Sequence, residues 1–397
     1  MTQRCIACHA QFPLDRIVYT CPQCDGLLEI AIEPATLAQC PWPPTRSRGV
    51  WRYEAFLPAS AADAVTLGEG DTGLHAIPTL GRALGIPRLF LKHEGENPTG
   101  SFKDRGMTVG MTVARRLGAR IVGCASTGNT SASLAAYAAR AGLRAVVFVP
   151  RGKIALGKLA QAVVHGAEIT QIDGGFDDCL RLLRDLSTAR GEIYLLNSIN
   201  PFRLEGQKTI AYEVCEQLGG KPPDAIVLPL GNAGNISAIW KGWRELHDAG
   251  RIQRLPRMIG VQASGAAPIA RLLAGELDSP SVANPETVAT AIRIGAPASA
   301  PKALAAIRES HGAAGHVSDD EILAAQARLA RTEGLFVEPA SAAPLAWLAK
   351  TRLDADTVVC VATGHGLKDP DAVLRSAPEM KRAAPTLESL RRVLELA

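Results

Sequence analysis

A repeating rhythm constrains this chain more than any single motif. Short, mostly apolar, β-branched runs, RIVGCA (120–125), RAVVFV (144–149), EITQI (168–172), AIVLPL (225–230) and TVVCVA (357–362), alternate with Ala- and Leu-rich stretches of helical spacing. A strand that is apolar on both faces needs cover on both, and helical crossovers between parallel strands supply it. The sequence therefore predicts an α/β protein of βαβ units with open, mostly parallel sheets. In such sheets ligands gather at the carboxyl ends of the strands, where helix N-termini offer free N–H groups. The loops that follow these runs are where chemistry is expected.

The bulk numbers exclude several classes. A chain of 397 residues at 47% hydrophobic content supplies cores for two or three domains. Lys and Arg total 43 against 39 Asp and Glu. A net charge of +4 over so large a surface makes no electrostatic case for nucleic acid or an anionic membrane. No stretch approaches the ~18 apolar residues of a membrane span, and the N-terminal MTQRCIACHA lacks a signal-peptide core, so the cytoplasm is expected. Ser318 followed by Glu321 reads as a capping box opening a helix that stops at Gly334. The C-terminal PTLESLRRVLELA (385–397) reads as one amphipathic helix packed on the body.

Nine cysteines occur, and four crowd into the first 24 positions. Cys5 and Cys8, then Cys21 and Cys24, form two CxxC knuckles with twelve residues between them, a spacing suited to a closed tetrahedral Zn²⁺ site. Residues 1–35 are thus expected to be a zinc-ribbon-like module, followed by the Pro-rich connector CPWPPTRSRGV (40–50).

Four loops carry the chemistry. In ENPTGSFKDRGM (96–107), Ser101 is placed to cap the following helix, which puts Lys103 in its first turn, with Met107, Met111 and Ala114 on one face. There the positive end of the helix dipole, the neighbouring Arg105 and burial would all disfavour an ammonium, the conditions for a Schiff-base lysine. CASTGNTSAS (124–133) sets small polar residues at a strand-to-helix junction, ready to present hydroxyls, an amide and N–H groups to an anion. In PLGNAGNISAIWKGW (229–243), Gly231 and Gly234 let backbone approach a ligand; the spacing fits neither a dinucleotide fingerprint nor a P-loop, so a monophosphate is the economical guest. In VVCVATGHGLKDP (358–370), Thr363 ends a strand with its hydroxyl available to a heteroaromatic nitrogen, while His365 reads as a structural loop histidine. A lysine for an aldehyde, a cup for a monophosphate, an amide for a ring hydroxyl and a hydroxyl for a ring nitrogen together match pyridoxal 5′-phosphate.

With HEGENPTGSFKDRGM, ASTGNTSAS, NSINPFRLEGQKT, GNAGN and TGHGLKDP in this order between about residues 65 and 370, the chain resembles the threonine synthases of the tryptophan-synthase-β-like, fold type II class of pyridoxal-phosphate enzymes. The resemblance implies two doubly wound open parallel-sheet domains with the cofactor in the cleft between them. It assigns 36–95 and 205–397 to a larger cofactor-binding domain and 96–204 to a smaller α/β domain. It also implies that Lys103 carries the cofactor, that Asn129 meets the ring hydroxyl, that Gly231, Asn232, Ala233, Gly234 and Asn235 hold its phosphate, and that Thr363 faces the ring nitrogen. Thr363, a neutral hydroxyl, would stabilise a protonated ring less than a carboxylate does. The implied substrate is O-phospho-L-homoserine, its phosphate gripped by Asn197, Ser198 and Arg203 with Ser126 and Thr130 completing the pocket, and the implied assembly is a homodimer. Cysteate synthase, a serine or threonine dehydratase, and a non-enzymatic scaffold are the rival readings.

Overall fold

Each apolar run becomes a strand in the computed structural model, which describes residues 1–42, 48–152, 156–188, 191–374 and 379–395. Strands β1 (Thr2–Cys5), β2 (Gln11–Phe12) and β3 (Leu28–Ala31) form a small antiparallel sheet in the order β2-β1-β3. After β4 (Leu74–Ala76) and β5 (Arg88–His93) the chain leaves to build a second, parallel sheet. This contains β6 (Ile121–Ala125), β7 (Arg144–Pro150), β8 (Glu168–Ile172) and β9 (Tyr194–Leu195), in the order β8-β7-β6-β9. The chain then returns with β10 (Ala225–Pro229), β11 (Arg257–Ala263), β12 (Ala313–Val317) and β13 (Thr357–Ala362). With β4 and β5 these make a six-stranded sheet, order β12-β11-β10-β13-β5-β4, parallel except at the β4 edge.

Both parallel sheets are wound outward and then back. The chain steps from β10 to β11 to β12 and returns to pair β13 beside β10; likewise it steps from β6 to β7 to β8 and returns to set β9 beside β6. Each return creates a switch point whose loops diverge and leave a crevice. The loops after β10 and β13, and those after β6 and β9, are the ones that carry the sequence motifs.

Burial follows the period-two alternation of a strand covered on both sides. Ile226, Leu228, Val359 and Val361 pack into one core with Trp243 and Tyr212, whereas Val227, Val358, Cys360 and Ala362 enter the opposite core with Leu345 and Trp347. Each valine, leucine or isoleucine so buried contributes roughly 1.5–3 kcal/mol. The capping box expected at Ser318 forms with Glu321, and its helix Asp319–Glu333 ends at Gly334 with φ 74. The C-terminal expectation fails in part: the helix Leu387–Val393 forms, but Leu387 and Leu394 stay exposed, so its apolar face is not packed on the body. The last two residues of that stretch, 396 and 397, lie outside the described residues, as do 43–47 of the Pro-rich connector.

The N-terminal sheet touches both parallel-sheet bodies. On one side Arg184 of the helix Phe176–Thr188 donates to Thr20 and Asp25, and the Leu195 amide of β9 donates to the Tyr19 hydroxyl at 2.8 Å. On the other, Lys241 and Lys302 donate to the carbonyls of Ile30 and Leu28 at 2.6 and 2.5 Å. The connector is anchored too, with Trp42 stacked on Tyr53 and edge-on to Phe56 and Tyr212.

Between the sheets lies a four-charge cluster closed to water. Arg105 donates to Glu94 and Glu213, and Lys92 donates to Glu213, with side-chain exposures of 0–3%. Burial pushes the Glu213 carboxyl up, but Arg105 and Lys92 outweigh it and hold the group well below the usual carboxylate range. Removing one member of such a cluster leaves a buried charge uncompensated. Glu213→Ala is therefore expected to lower the unfolding free energy by about 3–5 kcal/mol in a urea melt; a loss under about 1 kcal/mol would mean that Arg105 and Lys92 find other partners.

Candidate active site

Lys103 opens the helix Lys103–Arg116, with Phe102 at the N-cap. Ser101 does not cap this helix in the usual sense, because its hydroxyl receives only the Lys103 N–H, at 3.4 Å. What seats the turn is backbone: the Phe102 amide donates to the Thr363 carbonyl at 3.0 Å, and the His365 amide donates to Gly100 at 2.9 Å. Asp104 finishes the seat by accepting from the Thr99 amide and hydroxyl and from Ser133, and burial raises its carboxyl to about 6 against those bonds.

The Lys103 amine lies 4.2 Å from the centre of the Phe102 ring. Burial, then the nearby Arg203 guanidinium, bring its pKa down to about 7, with Glu338 pulling the other way. Arg105, expected from sequence to repel this ammonium, is not the repelling charge. It turns into the ion cluster with Glu94 and Glu213, and Arg203, a hundred residues downstream, takes that role.

Asn129 and Thr363 come together through a residue that sequence reading missed. Asn129 Nδ2 donates to Glu338 Oε2 at 3.0 Å, and Thr363 Oγ1 donates to Glu338 Oε1 at 3.0 Å. Ser341 Oγ adds a further contact to Thr363 Oγ1 at 3.0 Å. Glu338 is buried at the N-cap of the helix Pro339–Lys350. A β-carbon on Gly364 would fall 2.6 Å from its carboxyl carbon, which is why that strand-end position holds glycine. The only signal available in VEPASAA was an acid before a Pro-started helix, and such residues ordinarily serve the helix alone. His365 accepts from the Leu367 amide, the structural role expected of it.

The GNAGN loop ends β10 and starts the helix Gly234–Asp248. Ala233 sits at its N-cap with φ 65, a left-handed conformation uncommon for alanine that turns the chain into the helix. Asn232 ties the loop to its neighbours by accepting from the Ala298 amide. Asn235 is buried, and neither atom of its amide has a partner among the described residues.

The remaining residues lie on the loops after β6 and β9 and on the helices that follow them. Asn197 braces the β6 end, accepting from the Ala125 amide at 2.9 Å and donating to its carbonyl at 3.1 Å. Ser126 accepts from the Gly128 amide, while Ser198 and Thr130 are half-buried beside these loops. Arg203 lies on the helix Pro201–Gln207, packed against the Lys103 helix where Gly106 and Gly110 make room. It is 1% exposed, and its Nε and Nη2 have no partner among the described residues. Burial lowers its guanidinium to about 10, which leaves it charged at neutral pH.

A model of the "Pyridoxal-phosphate dependent enzyme" family matches residues 65–364. The threonine synthase of Methanocaldococcus jannaschii is 52% identical over 405 residues, covering 100% of both chains. This chain belongs to the threonine synthases of that family. The threonine synthase of Methanosarcina acetivorans is 50% identical with 98% of each chain covered, and that of Mycobacterium tuberculosis is 53% identical over 87% of this chain and 94% of its own. Among solved structures, maize serine racemase aligns with a TM-score of 0.65 at 20% identity, covering 77% of this chain and 91% of that one. Tomato threonine deaminase isoform 2 aligns at 0.63 and 20%, covering 90% and 97%. At such identities these two show the shared fold alone.

For a threonine synthase of the pyridoxal-phosphate family the residues present fit the cofactor. A buried asparagine without partners at a helix N-terminus suits a phosphate, and a lysine with a lowered pKa suits an aldehyde. In the N-terminal module the sulfurs of Cys5, Cys8, Cys21 and Cys24 lie within 4.8 Å of one another. Cys5 is 3.5 Å from Cys24 and Cys8 is 3.5 Å from Cys21, too long for disulfides and near the sulfur spacing of a tetrahedral thiolate site.

An amine with a pKa of about 7 is half neutral at physiological pH, where an ordinary lysine is almost wholly protonated. The rate at which the apoprotein captures pyridoxal phosphate is therefore expected to rise with pH and level off just above 7. Stopped-flow absorbance reads it, and a rate still climbing steeply at pH 9 would contradict the lowered pKa.

Proposed function

We propose that this threonine synthase converts O-phospho-L-homoserine and water into L-threonine and phosphate, with Lys103 as its cofactor-linking and proton-transferring residue. The observation that carries the assignment of site residues is the Arg203 guanidinium, charged, buried and without a full set of partners, beside the Lys103 amine. A charge kept so deep is costly unless an anion meets it. The γ-phosphate of the substrate is such an anion, and a guanidinium receives a phosphate with two parallel hydrogen bonds.

Bound pyridoxal phosphate supplies an electron-withdrawing ring that acidifies the hydrogens of an attached amino acid. Asn129 and Thr363 would hold its ring, and the backbone of 231–235 with Asn235 its phosphate. Lys103, a base near neutral pH, takes the α and β protons in turn and returns protons to the γ and α carbons, so that the γ carbon becomes the methyl of threonine. Arg203, with Ser126, Thr130 and Ser198, stabilises charge on the γ-phosphate as its carbon–oxygen bond breaks. Asn197 holds the Ala125 backbone, just before Ser126, in position for this grip. Water then adds at the β carbon. Curated relatives about half identical over nearly the whole chain favour this chemistry over cysteate synthesis or simple dehydration.

We also propose that the domains run 1–35, 36–95 with 205–397, and 96–204, in keeping with the three sheets. The four N-terminal thiols hold one structural Zn²⁺, supported by their mutual distances. On the family resemblance the protein is a homodimer of the cytoplasm; among the described residues no helix is long and apolar enough to cross a membrane.

Wild-type protein is expected to release phosphate and threonine in equal amounts from phosphohomoserine. Arg203→Ala should raise the KM for that substrate about 100-fold while cofactor content stays unchanged; an unaltered KM would remove Arg203 from the phosphate site. Native mass spectrometry of protein purified without chelator should give a dimer with one zinc per chain. A mass without metal, or a monomer, would reject the corresponding assignment.

A further inference from the structure

Glu338 is unassigned by the reaction chemistry above, yet it joins the two side chains that face the cofactor ring. Its two oxygens are divided between them, Oε2 to the Asn129 amide and Oε1 to the Thr363 hydroxyl, each at 3.0 Å. Its backbone is held as firmly: its amide donates to the Gly364 carbonyl at 3.0 Å, and Gly364 packs against the carboxylate itself. The charged groups facing it are Lys103 and Lys368, which favour its ionised form, while burial opposes them and raises its pKa.

The polarity of these bonds has a chemical consequence. An ionised Glu338 only accepts, so Thr363 gives it the single hydroxyl hydrogen, and the Ser341 hydroxyl 3.0 Å away then acts as donor to Thr363 Oγ1. The Thr363 oxygen is then left with one free lone pair and no hydrogen, and it can face a ring nitrogen only as an acceptor, which requires that nitrogen to carry a proton. Thr363 is therefore not the neutral partner that the sequence suggests. It relays a negative charge. Asn129 is oriented by the same carboxylate, because one amide hydrogen goes to Glu338 and the other is left for the ring's phenolic oxygen.

We infer that Glu338 is a positioning residue which, acting through Thr363 and Asn129, favours the protonated ring nitrogen and sets the hydrogen-bond polarity along that edge of the cofactor. The inference rests on the proposed cofactor site. Glu338→Gln keeps the shape but offers an amide hydrogen, so Thr363 can reverse its donor role and the ring nitrogen loses its reason to hold a proton.

The test uses holoenzyme. In E338Q the pH titration of the cofactor's visible absorption is expected to shift by about one unit or more, and kcat to fall about tenfold, the rate equivalent of one such unit. The KM for phosphohomoserine should change less than about threefold, since Arg203 is untouched. In a Thr363→Val background, E338Q should cost less than about twofold further, because its route to the ring is already cut. An unshifted titration with kcat within twofold of wild type, or full additivity with Thr363→Val, overturns the inference. If E338Q does not fold as holoenzyme, Glu338→Asp supplies the reading: the carboxylate is drawn back by one methylene, a shifted band supports the role and an unshifted one rejects it. Borohydride reduction and peptide mapping of wild type keep the two readings apart. An adduct missing from Lys103 defeats the cofactor site itself, whereas an adduct at Lys103 with an unshifted E338Q spectrum defeats only the role of Glu338.

Discussion

The Arg105 guanidinium is the contact on which the rest of the molecule depends. Its donors reach Glu94 after β5, Thr72 before β4, and Thr209 and Glu213 on the helix Thr209–Gln217, so one planar group ties together four separate parts of the chain. It does so two residues from Lys103, at the first turn of the same helix. A lysine whose amine must reach a fixed ring needs a helix start that does not fray, and the first turn of a helix is ordinarily where fraying begins. The paired charges turn that weak point into a rigid one. Their desolvation is costly, and the cost is offset only while every member keeps its partner.

Topology does the remaining placement. Asn129 and Asn197 follow β6 and β9, the pair at one switch point; the GNAGN loop and Thr363 follow β10 and β13, the pair at the other. Loops that diverge at a switch point leave room for a ligand without any cavity having to be carved from a core. Phe102 donating to the Thr363 carbonyl and Asn129 donating to Glu338 tie the two sets of loops together, joining residues more than two hundred positions apart.

Much of this is legible in the sequence alone. Strands buried on both faces betray themselves as apolar runs, and all five of the runs quoted formed strands. The loop motifs were legible because four of them together offer the handles of one cofactor, whereas any one alone reads equally as a helix cap or a turn. Illegible were the long-range pairings of charges. Arg105 looked like a neighbour of Lys103 because it is one in sequence, but its acids lie 11 and 108 residues away, and nothing local announces them. Glu338 failed for the same reason: a lone acid before a proline carries no mark of the amide 209 residues upstream. The C-terminal helix shows the opposite error, since an amphipathic pattern declares a face but not whether anything covers it.

The N-terminal sheet leaves a mechanical consequence. Among the described residues the chain passes between its two larger sheets twice, once before β6 and once after β9. By gripping Arg184 and Leu195 on one side and Lys241 and Lys302 on the other, the first thirty residues add one more tie to those made by Phe102, Asn129 and Arg105. Every such tie makes the two sheet bodies harder to part, and this one is supplied by a segment that belongs to neither of their sheets.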